Sequence, residues 1–172
     1  LYLNKIDQEF AKKIELFVHK LSPILSTIKQ HFPHYTRHDA HHGYRVTKRI
    51  SQILKKECLQ KGNKIAFIPA EAFLLIAASY AHDLGMTVLP NEKESLLTKL
   101  DIAEDDNWKT DTQLQKYLRT NHSERGGTYI DQNWNSLGIP KNLVFPLNDL
   151  MRSHNMSVPQ LEVEFRAPIA AQ

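Results

Sequence analysis

Apolar positions recur at helical spacing along almost the whole chain, and strand-like alternation is negligible. Leu3, Phe10, Ile14, Phe17, Leu21, Ile24 and Ile28 are spaced by seven, then by alternating fours and threes, an a/d seam that predicts a helical extension over residues 1–30. Ser22-Pro23 interrupts the seam, as the cap and first residue of a second helix or as a kink. The seam is expected to pack on the rest of the chain; pairing with a second copy, giving a homo-oligomer through this helix, is the alternative. After a loop over His31–His38, Asp39 is placed to cap a helix expected to end near Gly62, with Val46, Ile50, Ile53, Leu54 and Cys58 as its apolar stripe. The most apolar run, Ala70 to Ala81, predicts a buried helix over 69–84 that stops where Gly85 supplies a C-terminal cap. Residues 87–120 read as a polar, broken insertion over one face of the core, with weak helical signals at Glu92–Leu100 and Asp111–Leu118 around Trp108. Asn121, with Glu124 three residues on, predicts the start of a further helix that Gly138 ends. Within it, Gly126-Gly127 predicts a close helix approach. Pro140 starts the last clear helix, with Leu143, Leu147, Leu150 and Met151 on its stripe and a bend at Pro146. The fold class predicted is all-α.

Periodicity also separates neighbouring histidines. His42 lies one turn before Val46 and points inward with that stripe, whereas His41 falls with Arg45, Lys48 and Gln52 on the wet face. By the same test His82, His122 and His154 lie on buried stripes near helix ends, each on a different helix. Asp83 follows His82 directly. At a helix end both side chains can reach one point, where the helix dipole favours a cation. A buried imidazole beside a buried carboxylate needs compensation, and a divalent metal provides it. Neutral imidazoles with a carboxylate suit Mn, Fe, Co, Ni or Zn. Five ligands exceed one tetrahedral site and leave room for a second ion, with Asp83 bridging.

Bulk properties change this picture little. The chain has 172 residues, 41% hydrophobic and 24% charged, enough for one domain with a core. A formal charge of +3 is too small to argue for nucleic acid. The charge is uneven, with eight Lys or Arg between Arg37 and Lys64 against Asp39 and Glu57, and five acids between Asp101 and Asp111 against Lys109. The sharper reading of the first run is an electropositive rim for an anionic substrate. Cys58 is the single cysteine, which excludes an internal disulfide and a thiolate zinc cluster and fits a reducing cytoplasmic setting. The sequence shows no membrane span and no glycine-rich phosphate loop.

Four segments in order carry a resemblance: His42-Gly-Tyr-Arg-Val46, Ala77-Ala-Ser-Tyr-Ala-His-Asp-Leu-Gly85, Arg119-Thr-Asn-His-Ser-Glu-Arg125 and Met151-Arg-Ser-His154. Together they resemble the motif set of the HD-domain metal-dependent phosphohydrolases. The chain is most similar to the HD-CE type, in which a run like Phe32-Pro-His-Tyr-Thr36 precedes the first ligand. The resemblance implies an HD domain over 31–172, a helical bundle around one or two divalent ions, Mg included, and hydrolysis of phosphate esters, often of nucleotides. Carried over by position, the ligands are His42, His82, Asp83, His122 and His154. Asp83 also positions the attacking water, and His122, if not tied to metal, can protonate the leaving oxygen. Arg45, Arg125 and Arg152 lie within a turn of these ligands and are candidate phosphate contacts. Two departures stand out. Ser123 occupies a position where the family often has a second histidine, and a closing Asp ligand expected after Arg166-Ala-Pro-Ile-Ala-Ala-Gln172 is absent from the sequence. The HD domain is therefore expected to be C-terminally incomplete and part of a longer protein, with a downstream domain such as a GHKL-type ATPase. A degenerate HD domain that senses or docks a nucleotide without turnover is the alternative function.

Overall fold

A computed structural model describes residues 7–54 and 67–164, and every regular element among them is helical. In chain order the α-helices are α1 (Gln8–Ser26), α2 (Ile28–His31), α3 (Ala40–Ile53), α4 (Pro69–Ala81), α5 (Lys93–Leu100), α6 (Thr112–Asn133), α7 (Lys141–Ser153) and α8 (Val158–Glu164). Short 3-10 turns occupy Leu84–Met86 and Trp108–Thr110. The all-α expectation holds. No helix among the described residues is long and apolar enough to cross a membrane.

The apolar helix α4 lies at the centre, against α1, α3 and α7, while α6 packs on the Leu84–Met86 turn and on α7. Its start is set by Pro69 in the first turn and by the Glu71 carboxylate, which accepts the Ile68 N–H at 3.0 Å. Phe73 and Ala77 from α4 share one core with Phe17 and Leu21 of α1, Leu118 and Ile130 of α6, and Leu147 and Met151 of α7, all fully buried. The N-terminal seam is thus taken up by the chain's own core. Pro23 neither starts a helix nor breaks one: α1 runs through it to Ser26, and the stripe shifts by one residue so that Leu25 is buried. Leu3 lies outside the described residues.

Three features differ from the expectation. Helix α3 stops at Ile53, where Leu54 takes extended backbone and Ile53 is 80% exposed, so its stripe ends early; Cys58 and Gly62 lie outside the described residues. The helix expected to open at Asn121 begins nine residues sooner. Asp111 caps it, accepting the N–H groups of Gln113 and Leu114 at 2.8 and 3.0 Å, and Asn121 sits mid-helix with its Nδ2 donating to the Tyr117 carbonyl. Residues 87–120 are no insertion laid over the core: Leu89, Leu96, Leu114 and Leu118 are part of it. The run at 166–172 lies outside the described residues.

Candidate metal centre

Asp39 sets the first turn of α3 by accepting the N–H groups of His41 and His42 at 3.0 and 3.3 Å. Gly43 then lets α3 lie directly on α4, since a Cβ there would come within 2.9 Å of the Tyr80 Cα. This approach carries His42 Nε2 to 3.7 Å from Asp83 Oδ2, with His41 exposed on the far face. Helix α4 ends at Ala81, and the chain bends so that His82 and Asp83 meet, Nε2 to Oδ2, at 3.1 Å. Gly85 is not a left-handed cap. It lies in the 3-10 turn, and its missing side chain is what α6 needs: a Cβ would sit 2.1 Å from the His122 carbonyl oxygen. Gly126 completes the crossing, with its Cβ position 3.3 Å from the Gly85 nitrogen. His122 is thereby buried next to Asp83, and His154, at the end of α7, brings its Nε2 to 2.9 Å from His122 Nε2.

A sixth group, absent from the sequence-derived set, joins them. His38, in the loop before α3, donates from Nδ1 to Asp83 Oδ2 at 2.8 Å. Periodicity is silent about a loop residue, and the four-residue spacing to His42 was the only signal available.

The imidazoles are oriented by the backbone. Nδ1 of His82, His122 and His154 each lies against the carbonyl three residues earlier, Ser79, Arg119 and Met151, at 3.1, 2.6 and 2.5 Å. Each therefore donates its Nδ1–H outward and turns Nε2 to the centre, the tautomer a metal ligand requires. Between His122 and His154 this leaves two Nε2 lone pairs facing one another, which is unfavourable unless a cation or proton lies between them. Burial opposes ionisation of Asp83, but hydrogen bonds and charge from His38 and His82 outweigh it and hold the carboxyl well below the usual range. Burial likewise opposes a charged His82, yet the hydrogen bond and charge of Asp83, with the Ser79 carbonyl, raise its pKa above the ordinary imidazole value. Its Nε2 proton is the one a metal would replace. His42 is lowered, mainly by burial and by the charges of His82, His38 and Arg45 against the opposing Asp83.

The donor set fits a divalent ion. His38, His42 and Asp83 bring ligand atoms within 4.8 Å of one another, as do Asp83, His122 and His154. Asp83 is common to both groups, with His82 between them. The expected phosphate contacts fare differently. Arg125 is tied down: it donates to the Gly85 and Thr87 carbonyls and to the Glu92 carboxylate, and so pins the turn behind Asp83. Arg152 pairs with Asp149 at 2.6 Å and is half exposed. Arg45 is exposed on α3, near enough to His42 to influence its charge. Ser123 accepts from Asn155 Nδ2, which also lies 3.2 Å from His122 Nε2.

The chain matches one family description, HD-CE, over residues 32–170. The chain belongs to the HD-CE family. The match spans all six members of the cluster, His38 included, so this loop histidine lies within the HD-CE region of the chain as well as in the geometric centre. No curated protein and no solved structure matches the chain.

Proposed function

We propose that this HD-CE chain is a metal-dependent phosphohydrolase acting on a phosphate-bearing small molecule, a nucleotide by preference. The observation that carries the reading is the sharing of one carboxylate, Asp83, by two groups of imidazoles. His42, His82, Asp83, His122 and His154, joined by His38, would hold one or two ions of Mn, Fe, Co, Ni, Zn or Mg. Such an ion, when bound, polarises a phosphoryl oxygen and acidifies a water. The chain's own groups do the rest. Asp83, ionised, supplies the fixed negative charge on which the cluster is built and can accept a hydrogen bond from an attacking water. His122, its Nδ1–H held by Arg119, has Nε2 alone aimed at the centre, and where that atom is not bound to metal it can carry a proton and deliver it to a leaving oxygen. Arg45, exposed and without an ion-pair partner among the described residues, can meet substrate phosphate, whereas Arg125 acts by holding the turn.

Phosphate release from a nucleotide panel with Mn, Ni and Mg in turn tests this reading. Turnover that is lost in Asp83→Asn is expected; absence of turnover from every nucleotide in every metal would overturn it. The Asn155 contact to His122 Nε2 favours a second reading, a nucleotide-sensing or docking module without turnover. Saturable nucleotide binding with no phosphate release is its signature.

A further inference from the structure

The cations around the centre are not equivalent. On the α6 and α7 side they are committed: Arg125 to Glu92, Arg152 to Asp149, and Arg119 to the Tyr35 hydroxyl at 3.0 Å. On the opposite side a cavity of about 200 Å³ opens between the end of α1 and the loop before α3, lined by Leu25, Ser26, Lys29, Arg37, His38 and Asp39. Among the described residues neither the Lys29 nor the Arg37 side chain has an ion-pair or hydrogen-bond partner. The one carboxylate in the lining, Asp39, is turned to the start of α3, where its Oδ1 accepts two backbone N–H groups. Two free cations facing one small cavity repel each other, and an anion between them relieves that repulsion. His38 forms the common wall: it lines the cavity, and its Nδ1 is bonded to Asp83. An anion held there lies one imidazole away from the centre.

We propose that this cavity is the subsite for a second phosphate of the substrate, gripped by Lys29 and Arg37 while the phosphate to be cleaved lies at Asp83. The inference rests on the phosphohydrolase reading and narrows it to di- or polyphosphorylated compounds. The cavity is smaller than the roughly 300 Å³ at which sites for drug-sized ligands begin, so it takes a phosphate or diphosphate group and leaves the organic part of the substrate outside. Arg37 offers a guanidinium fork matched to two phosphate oxygens, and Lys29 a compact charge.

Inorganic pyrophosphate is the probe, titrated calorimetrically into the full, metal-free chain at fixed ionic strength. Arg37→Gln and Lys29→Gln are each expected to weaken binding about tenfold, the size of one charge-assisted hydrogen bond, with Lys29→Arg retaining most of it. Lys141→Gln, at the opposite end of α7 from His154, removes the same charge and should leave binding within about twofold. Equal weakening by all three neutral substitutions would show diffuse attraction and overturn the subsite, as would absence of pyrophosphate binding in the wild type. Phosphate release from nucleoside di- and triphosphates by the wild type loaded with Mn, Ni and Mg in turn reports on catalysis. Failure there with the Lys29 and Arg37 dependence intact would overturn the catalytic reading and leave the anion site standing.

Discussion

Gly85→Ala isolates the contact on which the geometry of the centre depends. The new Cβ would lie 2.1 Å from the carbonyl oxygen of His122 and 2.8 Å from its carbonyl carbon and Cα. All three are backbone atoms of the 22-residue helix α6, so none can rotate aside. Ordinary contact begins near 3.4 Å, so α6 must retreat by about 1.3 Å or the turn must deform. Overpacking a core costs about 1–3 kcal/mol when side chains can yield; a backbone obstruction places this substitution at the upper end, about 3 kcal/mol. At about 2–4 °C per kcal/mol for a chain of this size, the melting temperature should fall by about 6–12 °C. Gly127→Ala is the control. Its nearest neighbour would be Asn148 Cγ at 3.5 Å, an ordinary contact, and alanine is favoured over glycine inside a helix by about 1 kcal/mol. Circular dichroism melts of the two variants should therefore move in opposite directions. A Gly85→Ala protein that melts within about 2 °C of the wild type would refute the argument that α6 and the turn meet backbone to backbone.

Two further outcomes follow from single histidines. His42→Ala should lose the metal held on its side of Asp83 while His41→Ala leaves uptake little changed, measured by metal analysis after loading and desalting; equal effects would show that the register of α3 is wrong. His31 is 2% exposed, with Nδ1 donating to the Lys109 carbonyl and Nε2 facing the Val88 N–H, and burial lowers its pKa against the opposing Lys109 carbonyl, with the charges of Lys109 and Arg125 adding to the lowering. The unfolded chain, with an ordinary value near 6.5, binds more protons as pH drops, so the contribution of His31 is complete above about pH 6.5 and is lost as pH falls toward the folded-state value. Urea midpoints of the wild type should fall between pH 7.5 and 5.5 more steeply than those of His31→Gln; parallel slopes would contradict a neutral, buried His31.

Much of this architecture is legible in the chain because helical periodicity is local. The 100° step that separates His41 from His42 is visible in the sequence and holds in the structure, and the inward positions of His82 and His122 follow from the same rule. His154 is the mixed case: it is exposed as a residue, yet its ring tip reaches His122 because α7 ends beside the cluster. What misleads is any local pattern whose cause is tertiary. Gly85 has the look of a helix cap, but the residue is required by the backbone of His122, 37 positions downstream. Asn121 and Glu124 mimic a capping box in the middle of α6, while the true cap, Asp111, lies in a polar stretch that reads as loop. Arg125 sits beside a ligand in sequence, yet its partners Gly85, Thr87 and Glu92 are 33–40 residues away and turn it into a brace. His38 escapes because no periodicity applies outside a helix, and its role appears only when the loop closes on Asp83.

The claim on which the rest depends is that one carboxylate organises every histidine in the cluster, and metal stoichiometry tests it most directly. Mass-spectrometric metal analysis of wild type, Asp83→Asn, His42→Ala and His154→Ala, each loaded with Mn²⁺ and desalted, separates the two groups that share Asp83. Asp83→Asn should lose all bound metal while remaining folded by circular dichroism, and the two histidine variants should each lose metal from its own side. Retention of wild-type metal by a folded Asp83→Asn protein would contradict the account.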